Sequence, residues 1–441
     1  MTKQFSMSRG LSAALLALPI FLLNPVEQVH FSQDGVSVAV AEAAAQNTRK
    51  VMAVSEAVNK KLAAVNEFLN PEEGEANLPR ALQEANDINT SKWNEFEQAQ
   101  LYNLKGNIYV QMERYKDAIA NYRKYVDTPS VPEANQLNVS YYLAQLYLAT
   151  ENYKEAVNML EDYIKRSEIV GADHYYKLGQ AYYLAENLNK SLPNINKAVD
   201  MYEGSDRIPP EGLYQYQMSL YHTREEYSKV IEVLEKMIRH YPKTSTWRTL
   251  AQMYGVAGRS KDQLHAYSAV YTMGGLTKDK ELRLLASLYL ENDYPYKAAK
   301  VLDKGIKDKI VEPTAKNLEL LGVSWSLSKE KDESIKVMEQ AAKKSDDGEL
   351  YARLSQMYLG DDNYQNAVNA GKEALKRKLK RPASVHFNLG ISYFNMEKYD
   401  SALKSLKEAR KNKDITKQAN QWIRVVEGEK ERVAKLEEAA S

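Results

Sequence analysis

From Leu137 to Arg166, apolar and small residues recur at helical spacing, break at Glu151-Asn152, and resume as a second amphipathic stretch. The pattern predicts two helices joined by a tight turn. It begins again at Ala99, Leu137, Ala172, Glu211, Thr244, Asp279, Ala315, Gly348 and Ala383, at intervals of 33 to 39 residues. Periodicity of this length marks a repeat architecture, in which each unit buries its apolar face only against its neighbours. One position of the unit is small: Gly106, Ala144, Gly179, Ala251, Ala286, Gly322, Ser355 and Gly390, with Met218 the departure. A bulky side chain there would push the two helices of a unit apart. Three residues on, every unit is aromatic: Tyr109, Tyr147, Tyr182, Tyr221, Tyr254, Tyr289, Trp325, Tyr358 and Tyr393. The chain is only 10% aromatic, so chance does not produce that column.

Leu143, Leu178, Leu250, Leu285, Leu321, Leu354 and Leu389 precede the small position, which Lys105 and Gln217 fail to match. In the second helix Ala118, Ala156, Ala298, Ala367 and Ala402 share a site that Ser191, Val230, Gln263 and Ser334 break. Gly371 stands where the eighth unit should carry a large residue, which leaves the packing there open. This arrangement resembles the tetratricopeptide repeat, with its Leu-Gly-x-x-Tyr core, second-helix Ala and terminal Pro, here Pro242. The resemblance implies an all-α solenoid, a right-handed superhelix of nine helix-turn-helix units over residues 99–415 without internal domain boundaries. Before it, Val51–Leu69 and a stretch holding Leu78, Ala81, Leu82, Ala85 and Ile88 predict two helices split at Pro71–Gly74, a degenerate repeat over 48–98. After it, Ala419, Trp422, Ile423, Val426 and Val433 form one apolar stripe on a charged helix, a capping helix over 416–441.

In tetratricopeptide proteins the first helices line a groove, and the resemblance implies that the fifth and ninth residues of each unit face it. The ninth positions include Asn107, Gln145, Gln180 and Gln252, with Ser219 in the fourth unit; the fifth include Asn103, Tyr141, Tyr176, Gln215, Arg248 and Arg283. Tyr183 and His222 lie one turn further along their helices. A carboxamide donates and accepts, so a ladder of them can pair with the backbone of an extended peptide. The plain alternative is that Gln is a good helix former on a wet face. Arg248 and Arg283, equivalent in adjacent units, could together hold one carboxylate. The tyrosines are expected to stand outside the repeat core.

Composition changes the picture mainly by exclusion. Net charge is +1 over 441 residues, so no overall field recruits nucleic acid or an anionic membrane. Cysteine is absent, which removes disulfides, thiolate metal sites and a lipidated cysteine. The six histidines are scattered, and no phosphate loop, dinucleotide fingerprint or paired-histidine zinc motif occurs. The reading is therefore no enzyme, no cofactor and no metal. The basic run Lys372–Arg381 is either a solvated helix face or a contact for an acidic partner or lipid headgroups. At the N-terminus, Lys3 and Arg9 precede an apolar run from Leu11 to Leu23, the form of a signal peptide over 1–23. Small residues for cleavage fall as late as 41–45, leaving 24–47 as a flexible lead segment; an uncleaved anchor is the other reading. No later stretch is a transmembrane candidate. Periplasmic export follows.

Two stretches narrow the resemblance: Glu291-Asn-Asp-Tyr-Pro-Tyr-Lys-Ala-Ala299, and Val58-Asn-Lys-Lys-Leu62 to Glu67-Phe-Leu69. Both are similar to periplasmic tetratricopeptide proteins encoded beside TonB, ExbB and ExbD in gammaproteobacteria. That likeness implies an accessory of the energy-transducing complex for outer-membrane nutrient uptake, with TonB or ExbB/ExbD components as partners. A scaffold for polysaccharide export or cell-wall synthesis is the alternative.

Overall fold

The computed structural model describes residues 53–71 and 75–440. The segments expected to be a signal peptide and a lead segment, and part of the Pro71–Gly74 break, lie outside them. Twenty-one helices follow one another. They are α1 Glu56–Leu69, α2 Leu78–Asp87, α3 Glu95–Gln111, α4 Tyr115–Val126, α5 Glu133–Ala149, α6 Tyr153–Arg166 and α7 Ala172–Leu184. Next come α8 Leu188–Glu203, α9 Glu211–Thr223, α10 Tyr227–His240, α11 Thr244–Val256, α12 Ser260–Thr272, α13 Asp279–Glu291 and α14 Pro295–Lys307. The last are α15 Ala315–Leu327, α16 Lys331–Lys343, α17 Glu349–Leu359, α18 Tyr364–Leu375, α19 Pro382–Asn395, α20 Tyr399–Ala409 and α21 Thr416–Ala440. No strand occurs among the described residues. From α3 onward the odd-numbered helices are the first helices of repeats and the even-numbered ones the second, up to α20.

The turn inside each repeat is the same device nine times. Its central residue has positive φ, between 54° and 70°: Glu113, Glu151, Glu186, Glu225, Gly258, Asp293, Lys329, Asp362 and Glu397. The next amide reaches back to the carbonyl of the repeat's aromatic residue, as in Asn152 N to Tyr147 O and Tyr294 N to Tyr289 O, both 2.8 Å. This closure satisfies a carbonyl that the ending helix would orphan. The aromatic position therefore packs with its ring and ends the first helix with its backbone.

The small position explains the serines that break the alanine site. Gly179 has Ile195 so close that an added Cβ would stand 2.7 Å from its side chain and 3.0 Å from its backbone nitrogen. At such close approach a hydroxyl can bond the facing backbone. Ser191 donates to Gly179 O, Ser334 to Gly322 O and Ser355 to Ala367 O, each at 2.7 Å and each fully buried. A buried hydroxyl without that acceptor would be costly. The packing at Gly371, open in the sequence, is close. An added Cβ there would meet Leu389 at 2.8 Å, so the leucine of the next repeat already occupies the space.

The chain divides into two compact units, one ending at Leu220 and the other beginning at Tyr221, inside α9. An undivided array was the expectation. The division falls in the repeat where Gln217 and Met218 replace the usual leucine and small residue. Gln217 is buried, its amide nitrogen bonds Asn196 Oδ1 at 2.9 Å, and its carbonyl oxygen has no partner.

In the first unit, Val58, Val65, Ala81 and Ala85 of α1 and α2 pack with Leu101, Leu104 and Ile108 of α3. Glu97 secures this junction. Its buried carboxylate accepts from Ser55 N at 3.0 Å, ahead of α1, and from Asn94 N at 3.1 Å, ahead of α3. Hydrogen bonds from Ser55 hold its pKa below the usual carboxylate range, against the opposing effect of burial. In the second unit, Ile423 and Val426 of α21 bury against Ala402 and Leu406 of α20, and Trp422 sets its ring edge-on to Phe394.

Candidate functional site

The first helices of the first unit carry the richest set of side chains expected to face a partner. Tyr176, Gln180 and Tyr183 lie four and three residues apart along α7, so they form one stripe. The structure places that stripe against α9. Tyr183 OH and Ser219 Oγ are 2.9 Å apart, and Gln180 Nε2 donates to Tyr216 OH at 3.1 Å. The Tyr216 ring stands edge-on to Tyr183 at 5.0 Å and to Tyr176 at 6.1 Å. Tyr176 is only 5% exposed. The expectation that these tyrosines stand outside the core is thereby corrected: a ring with an apolar body and a polar tip joins one first helix to the next.

Tyr141 of α5 behaves alike. It lies 5.2 Å from Tyr163 of α6 and 4.8 Å from His174 of α7, and Tyr163 stacks on His174 at 4.8 Å and 20°. Burial, reinforced by Asp173, pushes the Tyr141 hydroxyl's pKa up. His174 Nδ1 accepts from Gly171 N at 2.9 Å, so the neutral ring caps α7. Burial lowers its pKa. Asp173 beside it accepts from Tyr202 OH.

The amides divide. Asn107 accepts from Tyr122 OH, and Gln180 is engaged with Tyr216. Asn103, Gln145 and Gln215 are half-buried and make no side-chain hydrogen bond within the described chain. These three remain available on α3, α5 and α9, with Tyr142 exposed beside them on α5.

In the second unit the expected residues are differently engaged. His222 is edge-on to Tyr227 at 6.0 Å. Arg248 of α11 faces Glu281 of α13, Nε to Oε1 3.3 Å, and donates through Nη2 to Gly275 O at 2.7 Å. Arg283 pairs with Asp279 on its own helix at 2.8 Å. Each arginine thus has its own carboxylate, and the expected sharing of one partner carboxylate is replaced by pairing within the chain. Gln252 is half-buried, its side chain without a hydrogen bond among the described residues. Sequence reasoning missed Tyr163, His174, Tyr216, Glu281 and Asp279. No periodic column singles them out, because each is defined by the residue that faces it from another helix.

The basic run 372–381 is partly neutralised. Arg377 and Lys376 both pair with Glu373, at 2.6 and 2.7 Å. Among the described residues, no group of three or more His, Asp or Glu could hold a metal ion, and no helix is long and apolar enough to cross a membrane.

Models of the tetratricopeptide repeat match residues 99–128, 383–411 and 141–206. No curated protein sequence matches the chain. Among solved structures, the crystal structure of MamA is 18% identical, with a TM-score of 0.34 over 40% of this chain and 94% of that one. YrrB, described as a tetratricopeptide protein with an unusual peptide-binding site, is 16% identical, with a TM-score of 0.33 over 44% of this chain and 90% of that one. The Cut9–Hcn1 hetero-tetramer of APC/C is 16% identical, with a TM-score of 0.29 over 85% and 78%. These are likenesses of fold alone.

Proposed function

We propose that this chain, an all-α tetratricopeptide repeat solenoid, is a non-catalytic protein-binding scaffold of the cell envelope. The first helices of its first unit take an extended segment of a protein partner. One observation carries the reading: Asn103, Gln145 and Gln215 present amides that no described residue engages, while Tyr183 and Tyr216 on the same set of first helices are locked in place. A fixed frame with free donors and acceptors binds an extended backbone at low ordering cost. The N-terminal pattern of Lys3, Arg9 and Leu11–Leu23 supports export to the periplasm. The likeness of residues 58–69 and 291–299 to proteins encoded beside TonB, ExbB and ExbD supports a role in energy-transduced uptake. A role in polysaccharide export or cell-wall synthesis is the competing assignment.

The test is affinity capture with the exported protein from envelope extract, identified by mass spectrometry, repeated with Asn103, Gln145 and Gln215 all changed to Ala. Capture of TonB, ExbB or ExbD, weakened by about tenfold or more in the variant, is the expected result. Capture of polysaccharide-export or cell-wall enzymes instead would move the assignment. Equal capture by both forms would remove the amide surface from the binding site.

A further inference from the structure

The stretch Glu291–Ala299 does something that the first-helix surface does not use. In five other repeats the residue opening the second helix is a tyrosine: Tyr115, Tyr153, Tyr227, Tyr364 and Tyr399, all partly buried. In the sixth repeat that position is Pro295, and tyrosines flank it on both sides. Tyr294 and Tyr296 are 47% and 50% exposed. Proline fits the first helical position and stiffens the turn. Neither ring is loose. Tyr296 is held edge-on by the buried Trp325 at 5.7 Å, and Tyr294 by the buried Tyr289 at 6.4 Å.

The Tyr296 ring borders a cleft of about 640 Å³ along α12 and α14, with Tyr271 of α12 and Tyr289 of α13 in its wall, and Tyr294 adjoins it beneath Lys297. Lys297, Lys300, Lys304 and Lys307 follow at three- and four-residue spacing, one stripe of α14. Lys304 and Lys307 pair with Asp308 and Asp303 of their own helix. Lys297 lies over Tyr294 at 5.1 Å and over Tyr289 at 5.9 Å, with no carboxylate partner, and Lys300 is exposed without any partner among the described residues. The cleft thus has an excess of two cations over its two carboxylates, beside rigid, half-exposed rings. Fixed aromatics supply anchors for a partner's apolar side chain, and the unpaired lysines around them favour and steer an acidic one.

We propose that this cleft is a second protein-docking surface, which takes an acidic segment carrying at least one apolar side chain. The carboxylates meet Lys297 and Lys300, and the apolar side chain lies against Tyr294 and Tyr296. It lies on second helices and is independent of the amide surface on the first helices.

Random dodecapeptides displayed on phage, selected on the purified full-length protein, test this directly. Selection should enrich sequences rich in Asp and Glu with an aliphatic or aromatic residue. The best of them, labelled with fluorescein, should lose about tenfold or more in affinity on Lys297→Glu with Lys300→Glu, and about tenfold on Tyr294→Ala with Tyr296→Ala. Tyr296→Phe, which keeps the edge contact with Trp325, should bind within about threefold of the native protein. Gln145→Ala should leave this peptide's binding unchanged. Neutral or basic enriched sequences, or peptide binding indifferent to both double variants, would overturn the proposal. So would phosphatidylglycerol vesicles or single-stranded DNA outcompeting the peptide through the same lysines.

Discussion

In the unit ending at Leu220, α5 meets α7 and α7 meets α9 through rings and amides; in the unit beginning at Tyr221, α11 meets α13 and α15 meets α17 through ion pairs. Tyr183, Gln180 and Tyr176 close on Tyr216 and Ser219 in the first. Arg248 reaches Glu281, and Arg353 reaches Glu319 at 2.8 Å, in the second. The same backbone frame, with the same turn, serves both. The difference lies in how each seam treats water. A tyrosine ring stabilises by leaving water, and Tyr176 is almost wholly buried. An arginine pair stays partly hydrated, the Arg248 side chain being 34% exposed, and works through charge. The first seam should therefore be stronger and indifferent to salt, the second weaker and sensitive to it.

The largest effect should come from Tyr176→Ala. It removes a buried ring from the α7–α9 seam and should cost about 3–5 kcal/mol, the range for deleting a core aromatic. Urea unfolding followed by tryptophan and far-ultraviolet circular dichroism reads it. A loss below about 1 kcal/mol would mean that the rings decorate the seam without holding it.

Arg248→Ala should cost far less, about 1 kcal/mol, after discounting the pair for its exposure. That cost should shrink between about 0.05 and about 0.5 M salt, as the screening length falls, whereas the cost of Tyr176→Ala should not. Equal salt dependence in both variants would break the distinction between the seams.

The smallest effect should appear on mild acidification, and only the ring seam should show it through His174. Its folded pKa lies below the unfolded value of about 6.5. Between the two values the unfolded chain holds the extra proton, so stability rises with pH there. The contribution is complete above about pH 6.5 and is lost as pH falls toward the folded value. Protonation would also turn Nδ1 from acceptor to donor and cost α7 its bond from Gly171 N. Stability compared at neutral and mildly acidic pH should fall less in His174→Phe than in the native protein. His386 in the second unit, also lowered by burial, supplies a residual slope common to both forms. A His174 ring titrating above 6.5 by NMR would reverse the sign and remove this contrast.

The repeat was legible in the sequence because its constraints are local. Gly179 must be small because Ile195 lies across a single turn, and Tyr147 must accept a backbone bond five residues on; such demands recur at fixed spacing. The candidate surface was only partly legible. Asn103, Gln145 and Gln215 lie half-buried on first helices, with no side-chain hydrogen bond among the described residues. Tyr176, Gln180 and Tyr183 share the same helical register but meet another helix. Their position in the repeat is the same whether the facing residue is water or Tyr216, so periodicity could not tell the two apart.

What the sequence by itself determined is the all-α repeat: its period, its small and aromatic columns, and hence the pairing of each helix with its successor. Those contacts join residues close along the chain, so a single repeat length records them. Tertiary structure alone decided which polar side chains are free. Arg248 is neutralised because Glu281 lies opposite it, His174 is neutral because Tyr163 and Tyr141 shield it, and the Gln145 amide is available because no described residue bonds it. Whether a donor, an acceptor or a charge is satisfied depends on its neighbour in space, and the spacing of residues along one helix carries no record of what another helix brings to it.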